Sequence, residues 1–266
     1  MFTLSIAVTA SNLDAIKLAL TKALPDVKSS HRGEAIARGL GYRTYASLLE
    51  AARSGRNPSA TADSGAFIRY LAEQDFNVSS PPFYRAVAQA ALKTVAEAYS
   101  RLTTHGIGIG PPQRVGGRRS ETAADRRRTF DKGRAELTSE YAAEPFLLSL
   151  AFVSRVERTK TVRPATNSYW LKHIAESYAA TYPEGEELGP RYVSNGILIA
   201  AAIHAGFAVK MFVDDDGFES LNTGFNMSKA SLYDLDCEIR PDGSRAQARR
   251  ERERQRARGR YGATYL

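Results

Sequence analysis

Two arginine-rich runs contain the residues of this sequence that are best suited to bind phosphate. Residues 240–260 include nine arginines against three acidic residues, and residues 114–134 include seven arginines and one lysine against three. These runs carry net charges of +6 and +5, so the rest of this +8 chain carries −3. A slightly acidic body with two concentrated arginine segments indicates a phosphate-bearing or acidic partner.

The basic residues of these runs are almost all arginine rather than lysine, and this determines the kind of contact that the runs could make. Its planar guanidinium group binds phosphate in a bidentate manner and stacks on bases. The alternative interpretation is a solvated charged tail, which is what most charge runs are. The candidate nucleic-acid contacts are Arg43, Arg118, Arg119, Arg126, Arg127, Arg128, Arg245, Arg249, Arg250, Arg252, Arg254, Arg256, Arg258 and Arg260.

A smaller polar group has the residue types and spacing of a proton-transfer site. Lys172, His173 and Glu176 are expected on the polar face of a helix, opposite Trp170 and Ile174. Such a group could bind a phosphate or transfer protons at the centre of an enzyme. The alternative is a solvated helix face with one ion pair between residues four apart, worth about 0.3–0.5 kcal/mol.

The other reactive residues indicate no cofactor and no metal. No two of the four histidines have the spacing of zinc ligands. The segment 214–217, Asp-Asp-Asp-Gly, lacks the ligand spacing of a calcium loop and is predicted to be a hairpin turn. Cys237 lies between two acidic residues that disfavour its thiolate. We therefore expect a non-enzymatic function rather than catalysis.

Length and composition are typical of an ordinary globular protein. At 266 residues, with 43% hydrophobic residues, the chain is long enough to bury a sizeable core. Its longest apolar stretch, residues 197–209, is shorter than the roughly 20 residues that span a bilayer. The single cysteine fits a reducing compartment, and the N-terminus lacks the basic residues of a secretory signal. We expect a cytoplasmic protein that does not contact a membrane.

Helical periodicity dominates the first hundred residues, which we expect to form an N-terminal helical domain at residues 1–104. Leu13, Ile16 and Leu20 share one face of a helix that Pro25 ends. Thr44 can cap a further helix. A long helix is predicted to begin at residue 81, where proline suits the first turn, and its apolar residues recur at spacings of three and four.

The remainder is predicted to contain a linker, a helical module and a basic tail. Residues 105–140 combine a Gly/Pro-rich linker with a basic helix of little apolar surface. Residues 141–239 are expected to form a C-terminal module with apolar helices and a small β-hairpin. The tail, residues 240–266, has almost no large apolar side chain and should bury almost nothing. The fold class is therefore mainly α, in an α+β arrangement.

Residues 34–49, EAIARGLGYRTYASLL, resemble a helix-turn-helix. Ala37 and Gly41 stand four apart, as the small residue of the first helix and the turn glycine do, and Arg43 would begin the recognition helix. Ser47 departs from the pattern, in which an aliphatic residue is buried at that position. The alternative is a plain αα-hairpin with a glycine turn.

Two stretches are also similar to proteins of mobile elements. Residues 12–55 resemble a small helical module of phage and plasmid proteins that is called glyoxalase-related, although the metal ligands of a glyoxalase have no counterparts here. Residues 168–245, with SYWLKHIAE followed by YVSNGILIAAAIHAGF, resemble a conserved module of uncharacterised plasmid and integrative-element proteins. The resemblance implies a mobile-element protein and supplies no activity.

These observations together predict a non-enzymatic accessory protein of a mobile element that contacts DNA or RNA through its arginine segments. Its affinity would come from phosphates, with little readout of sequence. One alternative is a protein-interaction factor that binds and inhibits or modulates a host or rival nucleoprotein complex, such as a defence system. A weaker alternative is an enzyme centred on His173 and Glu176.

Overall fold

Helices make up most of the protein, and small antiparallel sheets complete a mainly helical α+β fold. The computed structural model describes residues 2–112, 114–115, 118–119, 121–213 and 217–262, and leaves out the side chains of residues 114–119, 163–165 and 257–262. The first half contains β1 (Ser5–Ala7), α1 (Ala10–Ala23), α2 (Ser29–Gly39), α3 (Tyr45–Arg53), β2 (Ser59–Thr61), α4 (Ser64–Ala72) and α5 (Pro81–Ala98).

The second half alternates short strands with helices. It contains β3 (Leu102–Thr103), β4 (Gly106–Ile107), β5 (Arg114–Val115), β6 (Arg118–Arg119), α6 (Ala123–Leu137), α7 (Ala143–Val153), β7 (Arg158–Asn167), α8 (Ser168–Glu176), α9 (Asn195–His204), β8 (Val209–Val213), β9 (Glu219–Met227), α10 (Lys229–Ile239) and α11 (Ser244–Gly262). A single 3₁₀ turn, Glu140–Ala142, precedes α7.

A side-chain cap fixes the start of α3 at Thr44, as the sequence predicts. The Thr44 hydroxyl accepts from the backbone N–H of Ser47, and the Ser47 hydroxyl accepts from the N–H of Thr44, which closes a capping box at α3. At α9 the Ser194 hydroxyl accepts from the backbone N–H of Ile197, without a reciprocal bond. The serine that departs from the helix-turn-helix pattern is therefore a capping residue at the start of α3.

The core is built on three helices whose small and apolar residues pack closely together. Helix α5 packs against α1 and α7, while α7 and α9 pack against each other and are buried on almost every side. Their buried side chains belong to one cluster that extends from Phe2 to Leu235. Among the described residues, no helix combines the length and apolarity needed to cross a membrane.

The expected linker begins inside this core. Strands β3 and β4 form a hairpin in which Leu102, Thr103 and Ile107 are fully buried. A Cβ atom at Gly106 would lie 1.9 Å from the backbone oxygen of Leu221, so only glycine allows β4 to approach β9. A glycine-rich segment thus serves close backbone packing here, whereas its composition alone predicts a flexible connection.

The predicted β-hairpin is present, within a larger sheet. Strands β8 and β9 pair antiparallel with Val209 opposite Phe225, and β7 pairs along the other side of β9, giving the order β7-β9-β8. The sequence of β7, RTKTVRPATN, lacks apolar alternation and contains Pro164, so periodicity did not predict this strand. The expected turn at residues 214–216 lies outside the described residues.

Candidate functional site

Within the arginine tail, Ser244–Gly262 form a single helix, α11, because its sequence consists almost entirely of good helix formers. Arg, Gln, Glu and Ala all favour the helix, and the side chains of Arg249 and Glu253, four residues apart, lie 3.1 Å apart. The Gln255 amide also donates to Glu251 at 3.2 Å. The tail is thus a helix with a defined direction.

A buried carboxylate holds the base of α11 against the body of the protein. Asp236 on α10 is only 2% exposed, and its oxygens accept from Arg240 at 2.7 Å, Arg245 at 3.0 Å and the Trp170 indole N–H at 3.0 Å. The Arg245 guanidinium also stacks on the Trp170 ring, 3.7 Å from its centroid. Ala246 is buried beside this contact.

The expectation that the tail buries almost nothing is therefore wrong for its first turn. Guanidinium stacking and charge pairing dock the helix without aliphatic side chains, an effect that apolar periodicity does not detect. Arg245 is consequently a structural residue. Arg249 is also engaged, because it pairs with Asp234 at 2.9 Å as well as with Glu253.

The outer turns of α11 differ from its base. Arg250, Arg252, Arg254 and Arg256 are all exposed, and no described residue forms an ion pair or hydrogen bond with any of them. Residues 250 and 254 share one face of the helix, as do residues 252 and 256, and the two pairs are roughly 200° apart around the axis. The projecting helix therefore carries cations along two opposite flanks.

Three arginines of the other basic run, Arg126, Arg127 and Arg128, have acidic partners close by in the sequence. Arg126 pairs with Glu121 at 3.2 Å and donates to the carbonyl oxygen of Gly110, while Arg127 pairs with Asp131 at 2.8 Å. Arg128 pairs with Asp125, whose carboxylate also closes the capping box of α6. Hydrogen bonds from Thr122, and then Arg128, hold the pKa of Asp125 below its ordinary value.

Most basic side chains of α6 are thus paired with nearby acidic residues, and its arginines are weaker phosphate contacts than the outer arginines of α11. The spacings of four between Arg127 and Asp131 and of three between Arg128 and Asp125 were visible in the sequence. Arg43 is exposed, immediately before the residue that caps α3. The side chains of four further candidates lie outside the described part of the chain: Arg118, Arg119, Arg258 and Arg260.

The predicted polar group on α8 does come together, but it is not a solvated face. Lys172 is only 7% exposed, its ammonium donates to Glu176 at 2.9 Å, and it lies between the rings of Tyr169 and Tyr192, with centroids at 5.4 and 5.2 Å. The expected exposed position of Lys172 is wrong because two tyrosines cover its aliphatic stem and ammonium group.

The carboxylate of Glu176 is the centre of this group. It also accepts from Nδ1 of His173 at 2.8 Å and from the backbone N–H of Val193 at 3.4 Å. Burial acts to raise the pKa of Glu176, but the hydrogen bonds from Lys172 and His173 outweigh it and lower that pKa. Glu176 therefore stays ionised and orients His173, which leaves Nε2 of the ring free of this carboxylate.

An open groove is the feature that the sequence did not reveal. It lies between α1, α5 and the turn before α7, measures about 1550 Å³, and is lined by Tyr141 and Tyr192 among other residues. Glu144 at its edge accepts from Tyr182 at 3.1 Å and pairs with both Arg85 and Arg191. Its residues are far apart in sequence, so no local pattern connects them.

Within the described ranges, no cluster of three or more histidine, cysteine, aspartate or glutamate side chains could hold a metal ion. No family model, no curated protein and no solved structure matches this chain.

Proposed function

We propose that this protein is a cytoplasmic, non-enzymatic accessory protein of a mobile element that binds nucleic acid through the outer turns of α11. The observation that carries the proposal is the set of four exposed arginines, Arg250, Arg252, Arg254 and Arg256, on a helix anchored at its base. Guanidinium groups that are free of acidic partners remain available for phosphate oxygens.

The two flanks of the helix suit a groove between two phosphate rows. The major groove of duplex DNA is about 12 Å wide and admits an α-helix. A helix that lies there would present Arg250 and Arg254 to one strand and Arg252 and Arg256 to the other. Such contacts position the protein on the backbone and carry little sequence information.

The mobile-element part of the proposal rests on the resemblance of residues 168–245 to a module of plasmid and integrative-element proteins. A nucleic-acid-binding accessory protein is compatible with that resemblance. The anchoring of α11 by Trp170, which lies inside the resembling segment, connects the module to the arginine helix. The module would then serve as the support that directs the arginines outward.

The proposal is tested by binding to a fluorescently labelled 20-base-pair duplex at low salt, measured as anisotropy. Changing Arg250, Arg252, Arg254 and Arg256 together to Gln should abolish most of the binding, while lysine at the same positions should retain much of it. No binding of any nucleic acid by folded wild-type protein would overturn the proposal.

A charge-matched variant is the control for a general loss of positive charge. It changes to Gln four exposed arginines of the N-terminal helices and the loop after them: Arg43, Arg53, Arg56 and Arg69. This variant should bind like the wild type. Because the set includes Arg43, which would lead a recognition helix, a loss of binding here would assign the contact to the N-terminal half instead.

A second candidate function, a protein-interaction factor that acts on a nucleoprotein complex, is favoured by strand β8. In the described sheet β8 is an edge strand, and it exposes Met211 at 42% and Val213 at 61%. A free edge with apolar side chains can pair with a strand of another protein. A partner that is retained after nuclease treatment and lost on Val213→Lys would support this function.

A further inference from the structure

Strand β8 presents a row of backbone hydrogen-bonding groups at the edge of its sheet. In the described sheet, β9 pairs with one side of β8, and no strand pairs with the other side. The backbone N–H of Asn226 on β9 donates to the carbonyl oxygen of Ala208 at 3.2 Å. Because the groups that face a given neighbour belong to alternate residues of an antiparallel strand, the N–H and C=O groups of Val209 and Met211 point to the free edge.

The side chains along this edge are apolar and exposed. Met211 is 42% exposed and Val213 is 61% exposed, and both lie on the same face of β8 as Val209. Lys210 and Phe212 lie on the opposite face, where the Lys210 ammonium is 5.8 Å from the centroid of the Phe212 ring. An added strand would therefore satisfy the free backbone groups and cover apolar side chains at the same time.

The sequence of β8, VKMFV, is symmetric in its apolar residues about Met211. In an antiparallel pair of two copies with a two-fold axis at Met211, the outward-pointing groups of the two Met211 residues face each other. Val209 of each copy then lies opposite Val213 of the other, and Lys210 lies opposite the ring of Phe212, a favourable cation–π pair.

The charge of Lys210 selects this register over a neighbouring one. Moving the two-fold axis to Lys210 keeps the outward-pointing backbone groups opposite one another, but it sets the two lysines directly against each other, which is destabilising. The register shift between β8 and β9 beyond Met211 places its extra residues in β9, so β8 itself continues as an extended strand to Val213. All five residues of β8 can therefore take part in the symmetric pair.

We infer that β8 pairs with β8 of a second copy of this chain, which joins two three-stranded sheets into one antiparallel sheet of six strands. A strand of an unrelated protein must match the apolar pattern and the lysine by its own sequence, whereas a second copy matches both by symmetry. A pair of five-residue strands buries less than the roughly 1200 Å² of a stable interface, so we expect a weak dimer at micromolar concentrations. The inference does not depend on the nucleic-acid contact of α11.

The experiment is sedimentation equilibrium of the full chain without nucleic acid, over a range of micromolar concentrations. The wild type should show an equilibrium between monomer and dimer. Met211→Lys sets two ammonium groups against each other at the axis and should raise the dissociation constant of the dimer at least about tenfold. Met211→Thr should keep the dimer, because threonine favours strands and two threonines can hydrogen-bond across the axis.

Leu18→Lys is the matched control, since it puts the same charge on another exposed apolar side chain, at 63% exposure on α1. This variant should dimerise like the wild type. Circular dichroism establishes that each variant is folded, and Val213→Lys replaces Met211→Lys as the charge test if that variant unfolds.

Three results would overturn the inference. A wild type that stays monomeric at every concentration would leave the edge of β8 to a strand of another protein. A dimer that persists in folded Met211→Lys would place the interface elsewhere. A dimer that Leu18→Lys dissociates would assign the contact to the groove beside α1. None of these results changes the expectation for nucleic-acid binding through α11.

Discussion

Asp236 shows how a single buried carboxylate can determine the position of a charged helix. Its side chain is almost entirely inaccessible, and three donors from α8, the end of α10 and the start of α11 satisfy it. Removing one partner from such a network is costly, because the remaining charge stays buried with fewer hydrogen bonds. The stacked pair of Arg245 and Trp170 covers this carboxylate.

Trp170→Ala should lower the free energy of unfolding by about 3 kcal/mol, at the lower end for tryptophan truncations because the ring is only half-buried. In a double-mutant cycle with Arg245→Ala, the coupling energy should be about 1 kcal/mol, since a partly exposed guanidinium lies over the ring. Urea denaturation of the four proteins measures both quantities. Additive effects of the two substitutions would show that the stacked pair contributes nothing.

His204 at the end of α9 should make stability depend on pH. Burial lowers its pKa below the ordinary value of about 6.5, and its ring packs edge-to-face on Phe146. The unfolded chain therefore binds a proton at His204 more readily than the folded protein does. The stability that the neutral, buried ring contributes is complete above about pH 6.5, and it is lost as the pH falls toward the pKa of His204 in the folded state.

The corresponding measurement is urea denaturation of the wild type and His204→Gln at pH 8 and pH 5.5. The wild type should lose more stability than the variant between these two values, because the variant has no proton to take up at this position. Equal losses would indicate that His204 has the same pKa in the folded and unfolded chain.

At the scale of elements, α11 consists of a docked base and a projecting end. Deleting residues 250–266 should leave the melting temperature unchanged, because those described side chains are exposed. Deleting residues 240–266 should lower the melting temperature, because Asp236 then loses its bonds to both arginines and Trp170 loses the guanidinium stacked on its ring. Thermal melts of the two truncations decide this, and equal melting temperatures would contradict the docking of the base.

The helices were predictable from the sequence where apolar periodicity and caps coincide. Leu13, Ile16 and Leu20 are fully buried on α1 as their spacing predicts, and Thr44 caps α3. The strand β7 and the β3–β4 hairpin were not predictable, because long-range pairing and close backbone approach determine them. Local propensity contains no information on either.

The candidate site was predictable only in part, for a related reason. The grouping of Lys172 with Glu176 follows from helix spacing, and so do the ion pairs of α6. The burial of Lys172 depends on Tyr192, which lies on a distant loop. Likewise, nothing in the sequence around Asp236 indicates that its carboxylate pairs with Arg245. Pairings between elements decide which charged residues remain free.

At the scale of the whole molecule, a backbone contact joins the β3–β4 hairpin to α9. The N–H of Gly196 donates to the Thr104 carbonyl oxygen at 2.9 Å, and a Cβ atom at Gly196 would lie 1.7 Å from the carbonyl oxygen of Thr103. Gly196→Ala should therefore destabilise the fold by more than about 2 kcal/mol, as buried overpacking does. Gly65→Ala, in the first turn of α4, is the control: its Cβ would meet only the Asp63 carboxylate oxygen, at 3.2 Å, so by urea denaturation it should destabilise much less than Gly196→Ala.

The salt dependence of nucleic-acid binding tests the central claim most directly. Each neutralised phosphate contributes about −0.9 to the slope of log K against log salt concentration on duplex DNA, so four engaged arginines predict a slope of roughly −3 to −4. With Arg250, Arg252, Arg254 and Arg256 changed to Gln, the slope should flatten by about 3, and binding should weaken equally for all sequences. A slope that is the same in the wild type and in this variant would contradict the account.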